Sequence, residues 1–241
     1  FQANLKRMTR LAARSGVPLI LVNPVTNLKD CPPFKIESSA ELSGDDRARF
    51  NANLQQARQI QDDLPEEIRL VREALALDGR HGGAWFHLGK CLEEAGRFTE
   101  AKAAYIRAKE EDVCPLRCLE EMHEIILETA KRSAAGFVDA RVLFEELSEN
   151  GMPGEPHLVD HVHPGIHGHQ LLADALMEEL IRLKIARPTG DWRTLRDVRR
   201  REHLASLDYK YFVRGKERLG GLLRWTKGRG DRIRPTDNKT N

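Results

Sequence analysis

Asp160-His161-Val162-His163-Pro164 is the stretch whose residue types and spacing could do chemistry. An aspartate three residues before a histidine, in a loop ahead of an amphipathic helix, is a compact acid–base pair. The carboxylate can hold one ring nitrogen of His163 while the other takes a proton from a nucleophile. No evident nucleophile accompanies it. Gly44-Asp45-Asp46 has aspartate where a serine would be needed, and no G-x-S-x-G elbow occurs. Ser15, Ser38, Ser39, Ser43, Ser133, Ser148 and Ser206 lack a strand-to-helix setting. Two other readings use the same residues. His157, His161, His163, His167 and His169 with Asp160 offer imidazole and carboxylate to zinc or iron, although no helix-borne spacing such as H-E-x-x-H is present. Alternatively, His163 is a loop histidine and Asp160 a helix cap, but the helix begins several residues too late for capping.

The elements that must position this pair alternate along the chain. Leu5, Met8, Leu11 and Ala12 recur at helical spacing, and Ser15-Gly16 ends that helix. Val17 to Val22 is a short apolar run that reads as a buried parallel strand. The polar, proline-rich loop Asn23 to Phe34 follows it, and such loops are where α/β folds place ligands. Later, Leu119, Met122, Ile125, Ile126 and Ala130 form another helical stripe. Phe137 to Ala140 is a second candidate strand and Val142 to Leu147 a short helix. Leu171, Leu172, Ala175, Leu176, Leu180 and Ile181 mark the helix after the Asp160–His163 loop. The alternation predicts an α/β layer without its front half.

From Ser38 to Asp112 the chain is charged and helical, with no convincing strand. Within it, Trp85, Leu88-Gly89, Leu92, Gly96, Ala101, Tyr105 and Ala108 follow a pattern that resembles a tetratricopeptide repeat. Ala74 and Leu77-Asp78 echo the end of a second repeat. The closing proline comes late, at Pro115. Too few repeats are present for a self-standing stack, so an insertion packed on the α/β layer is expected.

Composition excludes several classes. At 40% hydrophobic and 32% charged residues the chain is not of the low-apolar kind that stays disordered. No apolar run approaches the roughly 18 residues that span a bilayer. The net charge of +2 hides an asymmetry, because the segment from Arg187 onward holds 16 basic and seven acidic residues. Solvated basic helices are the expected explanation, with Leu195, Val198, Leu204 and Leu207, then Tyr209, Tyr211, Phe212, Leu219, Leu222 and Leu223, marking two amphipathic helices over 185–226. Nucleic acid is not expected as a partner. Residues 227–241 read as a disordered tail. Cys31, Cys91, Cys114 and Cys118 show no C-x-x-C spacing and read as reduced thiols. The chain starts with Phe1 inside a helical pattern and reads as the later part of a longer protein.

Asp160-x-x-His163-Pro164, with Gly165-x-x-Gly168 and a helix, resembles the last block of the SGNH (GDSL-type) hydrolase superfamily. Gly151-Met152-Pro153-Gly154 to Leu172, Asn27-Leu28-Lys29-Asp30 and Asp112-Val113-Cys114-Pro115-Leu116-Arg117 look like members that carry tetratricopeptide repeats. The resemblance covers roughly residues 1–183 and implies a three-layer α/β/α, flavodoxin-like partial domain (1–37 and 113–184). That domain would carry a helical insertion (38–112) and C-terminal helices. It implies Asp160 as orienting acid and His163 as general base of a serine esterase. The Gly-Asp-Ser, glycine and asparagine blocks of the family are missing, so the chain by itself should be inert. The expected substrate is an ester of a small molecule or acylated polymer, and the repeat helices could hold a protein partner. Separately from the resemblance, Asn27 at the carboxyl edge of the sheet either lines a substrate pocket or forms a turn, and Arg117 either meets an anionic substrate group or pairs with the acidic residues around it. Neither cofactor nor metal is called for. The competing expectation is a binding module on a non-catalytic scaffold.

Overall fold

The computed structural model describes residues 1–230. It overturns the three-layer α/β/α flavodoxin-like expectation: 62% of these residues are helical, in ten helices, and two short strands are present among them. The elements are α1 (Gln2–Arg14), β1 (Ile20–Asn23), α2 (Gly44–Gln59), α3 (Leu64–Leu77), α4 (Gly82–Glu94), α5 (Phe98–Glu110), α6 (Glu120–Lys131), β2 (Gly136–Asp139), α7 (Ala140–Leu147), α8 (Ile166–Arg182), α9 (Trp192–Ser206) and α10 (Tyr209–Gly230). Of the tail expected to be disordered, 227–230 continue α10 and 231–241 lie outside the described residues.

β1 and β2 pair in parallel, Ile20 opposite Gly136 and Asn23 opposite Asp139. Each is four residues long, and a ribbon of two such strands is too narrow to form a layer. Alternation along β1 sends Leu21 to a cluster with Leu5 of α1 and Ile126 and Ala130 of α6, and Val22 to one with Val25, Ala140, Phe144 and Leu158. Helices therefore bury both faces. Both strands overlap the apolar runs, but β1 begins only at Ile20, with Val17 exposed, and ends at Asn23, and β2 lies one residue earlier than expected. The largest core lies elsewhere, between helices.

That core is the array α2–α5, whose consecutive members pack through short turns. Side-chain caps start α2, α3 and α4. Ser43 Oγ accepts from Asp46 N at the head of α2, with Asp45 and Asp46 complementing the helix dipole. Asp63 caps α3 and Pro65 occupies its first turn. His81 Nδ1 accepts from Ala84 N at α4. Phe50, Val71, Ala74, Leu92 and Tyr105 are buried in the interior. Gly89 lets α4 meet α5, because a Cβ there would stand 2.5 Å from Tyr105 Cε1. The Tyr105 hydroxyl donates to Glu93 at 2.6 Å, so its polar end is satisfied despite burial.

A polar network stitches the two strands to α6. Asn23 Nδ2 donates to Asp139 Oδ1 (2.9 Å), and Asn23 Oδ1 faces His123 Nδ1 at 2.6 Å. The Asn23 oxygen must accept, so His123 carries its proton on Nδ1. Burial, reinforced by the nearby Arg141 and Lys109 charges, pulls the His123 pKa down to about 4. An unfolded histidine titrates near 6.5. Between these values the unfolded chain binds one more proton than the folded one, so stability falls as pH falls from about 6.5 toward 4. Urea unfolding at pH 6.5 and pH 5 should show a loss of about 2 kcal/mol from this group. His123→Gln should flatten that slope, and an equal slope in the variant would assign the acid sensitivity elsewhere.

Candidate active site

The Asp160–His163 loop is a small, closed hairpin. Val159 N donates to His163 O (2.9 Å) and Gly165 N to His157 O (2.8 Å), flanking a bridge between Leu158 and Pro164. Leu158 is fully buried against Phe144 and Val25, which pins the hairpin to the ribbon. Gly165 is the N-cap of α8, and Gly168 in its first turn faces the loop. A Cβ on Gly168 would stand 2.8 Å from both His157 O and Pro164 Cβ, so the missing side chain at Gly168 is what lets the helix approach, whereas a Cβ at Gly165 would find only ordinary contacts.

Inside the hairpin Asp160 is buried and accepts three bonds. Oδ1 takes Val162 N and His163 N, both at 2.8 Å, and Oδ2 takes the His163 ring at Nδ1, at 2.7 Å. Burial pushes the carboxyl up, and these bonds from backbone and ring more than offset it. Asp160 is therefore held below the ordinary carboxylate range, as an anion at neutral pH. A carboxylate can only accept, so Nδ1 of His163 carries the proton and Nε2 presents a lone pair. The His163 side chain is 65% exposed while that of Asp160 is 0% exposed. Nε2 has no partner among the described residues. The ring is thus fixed on one side and open on the other, the posture of a general base awaiting a proton donor.

The neighbouring histidine behaves differently. His161 turns inward, edge-on to Phe34 at 5.0 Å, with Nδ1 buried 3.7 Å from Asp160 Oδ1. Burial lowers its pKa. His157 packs edge-on against Phe144 and donates from Nε2 toward Leu147 O at 3.2 Å. The five histidines of this segment therefore do not converge as a metal cluster. Among the described residues, the three-ligand gathering is Glu67, His87 and Cys91, far along the chain.

Asn27 and Arg117, the candidates for touching substrate, lie inside the fold beneath the hairpin. Both are buried, at 3% exposure each. Asn27 N donates to His161 O (2.9 Å), tying the loop after β1 to the His163 hairpin, and its side-chain oxygen accepts from Asp30 N. Arg117 Nη1 donates to Asn27 O (3.1 Å) and Cys31 O (2.6 Å). Asp112 lies 3.7 Å from Arg117 and accepts Phe34 N, Lys35 N and Cys114 N. Asp30 Oδ2 accepts Glu155 N across a contact that only glycine at 154 permits. Arg117 Nη1 is committed to buried backbone, while its Nε and Nη2 are buried without a hydrogen bond. The bonds of Asn27 and Arg117 fix the platform on which His163 stands.

The sequence did not disclose the bracing role of Asp112, the place of His123 or the inward turn of His161. His123 could have been found, because it shares a helical face with Ile126 and Ala130. Asp112 stood in the stretch to Arg117 that carried the resemblance, but nothing local tied it to the backbone of residues 34 and 35. No family model matches the chain, no curated protein is significantly similar to it, and no solved structure matches it.

Proposed function

We propose that this chain carries the acid–base pair of a serine ester hydrolase, with His163 as general base and Asp160 as the acid that orients it. The serine and the oxyanion donors come from outside these 241 residues. The observation that carries the reading is the short bond from the exposed His163 ring to an anionic, buried carboxylate, with Nε2 left open. In the reaction, the serine oxygen bonds to the ester carbonyl carbon while its proton passes to His163 Nε2. The same proton then leaves with the departing alcohol, and water repeats the sequence to free the acid. None of these steps calls for a metal or redox cofactor. A second reading, a protein-interaction module built on α2–α5, draws on the size of that helical array.

Fluorophosphonate labelling of the protein expressed from its complete reading frame tests the proposal. One serine should be labelled, and p-nitrophenyl acetate turnover should disappear with it. Absence of both in the folded protein would reject the hydrolase reading and leave the interaction module.

A further inference from the structure

Glu67, in the first turn of α3, faces His87 and Cys91 on α4. The spacing of four puts the histidine and cysteine on one helix face. A carboxylate oxygen, His87 Nε2 and Cys91 Sγ all lie within 4.8 Å of one another, with His87 Nε2 2.6 Å from Glu67 Oε1. The Glu67 and His87 side chains are each 19% exposed, while Cys91 is buried at 3%. The three groups thus form a cluster that reaches the surface through Glu67 and His87 and is backed, through Cys91, by the main apolar core. They play no part in the chemistry assigned to His163.

We propose that Glu67, His87 and Cys91 form a binding site for a zinc-class divalent cation that clasps α3 to α4. Thiolate, imidazole and carboxylate are the donor types zinc takes, at about 2.0–2.3 Å, and three protein ligands leave one position for water. Calcium and magnesium prefer all-oxygen sets, so sulfur and nitrogen exclude them. Charge agrees: a thiolate, a carboxylate and a neutral imidazole around a divalent ion sum to zero at the edge of an apolar core. Zinc takes cysteine as the thiolate, so binding turns Cys91–SH plus the hydrated cation into a sulfur–metal bond and one proton released to solvent.

Cobalt(II) titration of the full chain in a phosphine-reduced, chelator-free buffer reads this directly. One equivalent should produce a thiolate-to-cobalt charge-transfer band and tetrahedral visible bands, both erased by zinc. Cys91→Ser should abolish the charge-transfer band, and Glu67→Gln or His87→Gln should weaken binding by at least about 100-fold, beyond the usual cost of losing an outer-shell partner. Cys114→Ser/Cys118→Ser should keep the full signal. Far-UV circular dichroism confirms that each variant is folded. Should Cys91→Ser unfold, the two variants on the exposed side decide instead. No charge-transfer band in the folded wild type overturns the site, leaving Glu67 as a carboxylate hydrogen-bonded to its neighbours. A band unchanged in the Cys91 variant, or in both Glu67→Gln and His87→Gln, overturns it equally.

Discussion

His163→Ala, in the protein expressed from its complete reading frame, is expected to lower kcat for ester hydrolysis by roughly 10⁴- to 10⁶-fold. The ring is mostly exposed, so its removal opens no cavity. Asp160 keeps both backbone bonds and loses only the ring bond, a change of about 1 kcal/mol in stability. Asp160→Asn is the sharper variant. Its amide oxygen can keep the Val162 and His163 N–H bonds, which turns the amide nitrogen toward His163 Nδ1. A donor there makes Nδ1 an acceptor and moves the ring proton to Nε2, the wrong tautomer for taking a proton from serine. The expected loss is about 10⁴-fold in kcat with KM little changed. Steady-state kinetics beside a thermal melt separate the chemical effect from unfolding. Turnover retained in both folded variants would remove the pair from the reaction.

Asp112→Ala should produce the largest loss of stability, about 3–5 kcal/mol in chemical denaturation. Arg117 and Asp112 side chains are only 2% and 1% exposed, and Arg117 Nε and Nη2 are buried without a hydrogen bond. Burial already lowers the Arg117 pKa, so this guanidinium depends on the carboxylate beside it. Alanine would strand a buried cation and leave the Phe34, Lys35 and Cys114 N–H groups without their acceptor. Because Arg117 holds the Asn27 carbonyl and Asn27 N holds His161 O, loosening should reach the His163 hairpin. Hydrogen exchange at Asn27 and Val159 amides should quicken in the variant. Adding Arg117→Met to Asp112→Ala removes the stranded charge, and this double variant should recover part of the loss. If the single variant unfolds at the same denaturant concentration as wild type, the brace carries no energy.

What the sequence by itself determined is local. His163 follows Asp160 by three positions, close enough for one carboxylate to reach both the backbone and the ring, so the pair was legible. So were the two strands, from their apolar runs, and the helical texture of 38–112, from its spacing and caps. What joins residues distant in the chain was not legible. Only tertiary structure decided that Asn27 and Arg117 face inward, since a polar residue in a loop reads alike whether its bonds go to solvent or to buried carbonyls. The same holds for Glu67, brought to His87 across twenty residues by helix packing. The α/β layer failed for a related reason. A strand pattern is visible one segment at a time, but a layer needs partners, and within the described chain two strands found only each other while the helices took the core. The Asp160–His163 geometry stands without that layer, because a closed hairpin and a buried brace hold it.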